Sequence, residues 1–133
     1  MKFNFSIIVT SIGAAFGFLY GKIDTLFYIM ICMTVIDYMS GIAKAIYKKE
    51  LSSYIGAKGI VKKVLIYMVI AVAHLIDRTI GLDCVMNAAL FFYIANEGLS
   101  ILENLVECEV PIPQIVVDAL DQIGKKSEKE AEK

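Results

Sequence analysis

Three carboxylates stand inside stretches that are otherwise almost wholly apolar: Asp37, Glu97 and Glu103. A charged side chain at the centre of a membrane helix costs about 2.5–3.5 kcal/mol on insertion scales, so each such acid needs a cationic partner, water or an altered proton affinity. Asp37, Gly41 and Lys44 follow i, i+4 and i+7, one face of one helix, with Ser40 beside them. Lys44 is long enough to carry its ammonium to a membrane surface. Further along, Tyr93, Glu97, Ser100, Asn104 and Glu107 follow i, i+4, i+7, i+11 and i+14, flanked by Asn96 and Glu103, on a helix whose other face is Leu, Ile and Phe. Two uses fit such stripes. They line a water-filled path in an oligomer, or they hold the helices of one monomer together.

Enzymatic chemistry finds no support in the same residues. Glu97 and Glu103 are six residues apart and so about 120° off a common face, too far round to cooperate as acid and base. There is no HExxH, no GxSxG, no phosphate-binding glycine loop and only one histidine, His74. Cys32, Cys84 and Cys108 lack CxxC spacing, so no metal or cofactor is expected and the cysteines read as soft apolar packing residues. His74, Asp77 and Arg78 meet through i+3 and i+4 spacing, which predicts a solvated cluster near the outer surface of a membrane.

The elements that position these residues are all-α. Phe3 to Gly21 gives 19 uncharged residues, close to the roughly 20 that cross a 30 Å hydrocarbon core. Further spans are expected over about 25–46, 60–82 and 82–106, making residues 1–106 a transmembrane domain of four helices, or three if the first segment is left outside or cleaved. Gly13, Gly17 and Gly21 recur every four residues and predict a helix-packing face. Pro111 and Pro113 remove backbone donors and force a turn. Within 107–124 a short amphipathic cytoplasmic helix follows, Ile115, Val116, Ala119, Leu120 and Ile123 opposing Gln114, Asp118, Asp121 and Gln122. Residues 125–133 alternate charge and are expected to be disordered.

Totals agree with a membrane protein. A 133-residue chain that is 58% apolar, with mean hydropathy +0.67, is not built for water. Its 13 basic and 14 acidic residues lack the basic footprint of a nucleic-acid binder. If all four segments cross, Lys2, Lys44, Lys48, Lys49, Lys58, Lys62, Lys63 and the four tail lysines share one side, and only Lys22 and Arg78 lie opposite. The positive-inside rule then puts both termini on the cytoplasmic side of a multi-pass membrane protein.

Two blocks carry a resemblance. Val35-Ile36-Asp37-Tyr38-Met39-Ser40-Gly41-Ile42-Ala43-Lys44-Ala45 runs on through Ser52-Ser53, Gly56, Gly59-Ile60 and Lys62-Lys63. Tyr93-Ile94-Ala95-Asn96-Glu97-Gly98-Leu99-Ser100-Ile101-Leu102-Glu103-Asn104 leads to Val110-Pro111-Ile112-Pro113. Together, over roughly Thr34 to Leu120, they resemble the toxin-secretion and phage-lysis holins of Gram-positive bacteria and their phages, including clostridial toxin-release holins. The resemblance implies a homo-oligomer in the lipid of the bacterial cytoplasmic membrane that opens lesions, with an endolysin or a secreted toxin as functional partner. It carries over Asp37, Gly41, Lys44, Gly59, Glu97, Ser100, Glu103, Asn104, Pro111 and Pro113 as family positions. Glu109 stands where the family often has glycine, implying a less tight turn. The residues by themselves leave two rivals open: a small channel or transporter binding an ion at Asp37 and Glu97, and a non-conducting adaptor that uses the lysine-rich loop and tail.

Overall fold

Local capping chemistry sets where the helices begin. The computed structural model describes residues 2–133, with side chains from Asn4 onward, as five helices: α1 Lys2–Tyr20, α2 Thr25–Tyr47, α3 Ser53–Ile80, α4 Val85–Glu107 and α5 Gln114–Ala131. The charge of Lys2 and the ring of Phe3, which opens the first expected span, lie outside the described side chains. Asp24 caps α2 by accepting from the Phe27 amide at 3.0 Å, and Ser52 caps α3 by accepting from Ile55 at 3.2 Å. The Ser52 cap starts the third helix seven residues earlier than residue 60, where the apolar pattern starts. At 28 residues, α3 is about 42 Å long, more than a hydrocarbon core needs, so its lysine-bearing first turns project beyond the span.

α2, α3 and α4 are long and apolar enough to cross a membrane, while the apolar stretch of α1 is shorter, Asn4–Tyr20. The described chain is therefore an all-α polytopic protein with three helices of spanning length. Its core is apolar toward one end, where Phe27, Met30, Ile70 and Leu90 are fully buried between α2, α3 and α4 and Tyr20 closes over them from α1. The outward faces of α1, α2 and α3 are apolar: Ile8, Ile12, Val35, Met39, Val61, Val64, Met68 and Val72 are exposed. A soluble monomer rarely leaves so much contiguous apolar area bare, whereas lipid is its natural solvent.

Two expectations need correction here. Gly21 is not the third member of a helical glycine face, because α1 stops at Tyr20 and Gly21 takes φ 66°, the left-handed conformation that ends a helix. A Cβ there would fall 2.6 Å from the His74 ring, so Gly21 serves contact with α3. Gly13 and Gly17 have no atom near an added Cβ and remain bare. The tail is not disordered: α5 runs through Gly124 to Ala131 and lies antiparallel on α4, the most extensive packing in the molecule. Leu120 sits against Gly98, where a Cβ would lie 2.5 Å from Leu120 Cδ2; Gly124 faces Ala95, and the Ser127 hydroxyl donates to the Ala88 carbonyl at 2.7 Å. Small residues on α4 thus give the seemingly featureless tail a groove.

Candidate functional site

Opposite the apolar end of the core, α2, α3 and α4 meet around one ammonium. Lys63 on α3 donates to both Asp37 on α2 and Glu97 on α4. Asn104, about two turns beyond Glu97, donates to Ser40 Oγ at 3.0 Å and more weakly to Asp37 Oδ1 at 3.4 Å. Glu97, Asn104 and Asp37 are only 2%, 7% and 8% exposed, so these charges are satisfied by one another. Close approach of α2 and α4 depends on Gly41, where a Cβ would meet Asn104 Nδ2 at 3.7 Å. Above Lys63 the polar line continues. Tyr67 and Thr34 share a hydrogen bond at 3.1 Å, Thr34 donates to the Met30 carbonyl, and Tyr20 donates to the Tyr67 carbonyl at 3.0 Å.

A cavity of about 210 Å³ opens beside this cluster toward the α2–α3 loop, with Asp37, Lys44, Lys62, Lys63, Ser100 and Asn104 on its wall. Gly56 and Gly59 border it and face the Tyr38 ring. Beyond it, Lys44 lies 3.6 Å from Glu107 and Lys48 donates to the same carboxylate. That bond holds the Lys48 ammonium above the ordinary lysine range.

The expected stripe on α4 is therefore divided. Glu97, Ser100 and Asn104 turn inward to α2 and α3, Tyr93 is half-buried at the core margin, and Asn96 and Glu103 are exposed. Lys63 was missing from the expected site. Its signal was present in the sequence: two embedded acids require a cation, and a lysine stands at the edge of the third apolar run. At the far end, His74, Asp77 and Arg78 border one cavity, as a solvated cluster requires, but Asp77 is turned to a different use. Asp77 is 5% exposed and accepts from the Val85 and Met86 amides at 3.0 and 2.8 Å, capping α4 across the loop. Arg78 lies over the Phe18 ring, 5.4 Å from its centroid. Among the described residues no group of metal-ligating side chains is gathered.

The turn after α4 keeps its shape without glycine. Glu109 adopts φ 62°, the Glu109 and Val110 amides donate to the Val106 and Leu105 carbonyls, and Tyr47 reaches across to hold the Glu109 carboxylate. The turn is thus tight even though a side chain occupies its left-handed position. Pro111 follows it, and Pro113 at φ −62° leads into α5.

This arrangement of polar core, apolar exterior and proline turn coincides with a family match. The family model described as the bacteriophage holin family matches residues 14–125, which include every residue of the cluster. The chain belongs to the bacteriophage holin family. This holin-family chain is 40% identical to an uncharacterized protein of Listeria innocua over 100% of its own length and 96% of the relative's. It is 39% identical to a probable holin of Bacillus phage phi105, covering 92% of this chain and 91% of that one. An uncharacterized 14.9 kDa protein of Clostridium perfringens is 39% identical, over 89% and 91% of the two chains. No solved structure matches. Membership makes the chain a non-enzymatic multi-pass membrane protein, consistent with the bacterial cytoplasmic membrane.

Proposed function

We propose that this protein is a holin that accumulates in the bacterial cytoplasmic membrane, associates with copies of itself, and opens lesions through which an endolysin or a secreted toxin passes. The observation that carries the reading is the inverted pattern of the fold, an ion cluster inside and apolar outward faces on α1, α2 and α3, in a chain with a phage protein called a probable holin among its relatives. α2, α3 and α4 cross the membrane, and α1 crosses as a fourth span with both termini in the cytoplasm before opening. The bare Gly13 and Gly17 positions supply a surface on which a second copy can pack closely. Inside each monomer the Asp37–Lys63–Glu97 cluster fixes the helix register, and Asn104 and Ser40 satisfy what the ammonium leaves over.

The test is inducible expression in a bacterium with and without a cytoplasmic cell-wall hydrolase, following culture density, membrane potential and release of a folded reporter protein. Abrupt depolarisation and reporter release, with lysis only when the hydrolase is present, is the expected result. Continued growth with the reporter retained defeats the holin reading in favour of an adaptor, and ion-selective conductance without reporter release favours a small channel.

A further inference from the structure

The position of α5 raises a physical difficulty whose resolution identifies a surface. Leu120, Gly124 and Ser127 seat α5 on α4 between Gly98 and Ala88, within a helix long and apolar enough to cross a membrane. Past Ile115, which is exposed on the same face in the first turn, the opposite side of α5 is a stripe of Asp118, Gln122, Lys125, Lys129 and Glu132 at spacings of four, three, four and three, every one exposed and without a neighbouring helix over it. Hydrocarbon cannot solvate that stripe. The outward faces of α1, α2 and α3 are apolar and suit lipid, so the molecule has one side for lipid and one, along α5, for water.

We propose that α5 is the water-facing wall of the open lesion: it swings about Pro111–Pro113 from the cytoplasm onto the Ala88–Ala95–Gly98 groove of α4 and turns its charged stripe to the lumen. This rests on the holin reading above. Before opening, α4 contacts lipid or a second copy along that groove and the charged helix stays in cytoplasmic water. Once water enters, α5 seats without crossing hydrocarbon, and its charges keep the wall wet. Small residues in the groove explain why a helix this polar fits so closely there. Lys125, Lys129 and Glu132 form no ion pair among the described residues, which leaves them available to water.

The full chain in liposomes loaded with fluorescent dextran tests this, with Cys32, Cys84 and Cys108 replaced by alanine. A Cβ at Gly124 lies 3.7 Å from Ala95 Cβ, close to the separation of a disulfide, so the pair Ala95→Cys with Gly124→Cys reports the seat. The expected result is a crosslink that forms in vesicles that have released dextran, with the oxidised protein releasing as fast as the reduced one. Replacing the stripe by Asp118→Leu, Gln122→Leu and Lys125→Leu keeps net charge and should slow release about tenfold or more. The exchange Asp118→Lys with Lys125→Asp keeps polarity and should release normally. No crosslink in leaking vesicles, unchanged release from the leucine stripe, or arrest of release on oxidation each overturns the proposal, the last making α5 an inhibitory strap. A parent chain that inserts and releases no dextran overturns the holin reading itself.

Discussion

A single ammonium shared by two carboxylates on different helices makes Lys63 the residue on which the interior depends. Removing one partner of a buried ion pair leaves an uncompensated charge and costs about 3–5 kcal/mol, whereas replacing all the charges by neutral groups is often tolerated. Lys63→Met should therefore sharply lower the unfolding midpoint in detergent micelles, followed by circular dichroism against increasing sodium dodecyl sulfate. Combining it with Asp37→Asn and Glu97→Gln should recover most of the loss. A single variant as stable as the parent would mean the cluster does not form. Glu97→Gln alone keeps a hydrogen-bonding group and should shift lysis onset more than it shifts stability. Asp37, Glu97 and Asn104 were legible as a site because a charge in an apolar run is informative wherever it stands. Lys63 was harder to single out: it falls inside the expected 60–82 span, but beside Lys62 at the cytoplasmic edge it reads as a charge that sets orientation, and only the packing of α3 against α2 and α4 brings its ammonium to both acids.

At the scale of elements, the connections decide more than the helices themselves. Asp77 holds the start of α4 from the end of α3, so Asp77→Ala should cost about 0.5–2 kcal/mol, the range for a lost cap, and free the Val85 and Met86 amides. Hydrogen exchange at those two amides checks this: protection should fall there and stay unchanged at Ile94. The apolar spans were readable from composition, since length and hydropathy are what a bilayer demands. Two things were not. The left-handed stop at Gly21 interrupts a regular glycine spacing that looks helical on paper, and contact with His74 on α3 comes from tertiary structure alone. Likewise the last turns of α5 carry too little apolar character to declare themselves; only Gly98, Ala95 and Ala88 on α4 make a groove that accepts Leu120, Gly124 and Ser127. Gly98→Leu fills that groove beneath Leu120 and should reduce the Ala95–Gly124 cysteine crosslink severalfold. An undiminished crosslink would show that α5 reaches α4 by another route.

For the whole molecule the open quantity is the number of crossings, and the charges supply a prediction. Six lysines, Lys44, Lys48, Lys49, Lys58, Lys62 and Lys63, lie between the end of α2 and the first turns of α3. Moving so many ammonium groups across the bilayer is opposed by the same bias that sets orientation in other polytopic proteins, so this loop is expected in the cytoplasm with three spans or four. The two arrangements differ only at the other end of α1. The apolar stretch Asn4–Tyr20 is about 26 Å long as a helix, a few ångströms short of the hydrocarbon core, a mismatch that local thinning of the bilayer accommodates at modest cost. Its Tyr20 hydroxyl is held by the Tyr67 carbonyl within α3 and the Tyr20 ring packs on Phe27 of α2 with centroids 5.1 Å apart, which keeps α1 beside the spanning helices. Asn4→Cys in a cysteine-free chain should therefore resist a membrane-impermeant maleimide applied to intact cells before lysis, and react in inverted vesicles. Lys49→Cys should behave in the same way, and Asp83→Cys in the α3–α4 loop should do the reverse. Labelling of Asn4→Cys from outside, with the other two as expected, would reduce the protein to three spans with α1 on the outer face; labelling of Lys49→Cys from outside would invert the whole molecule.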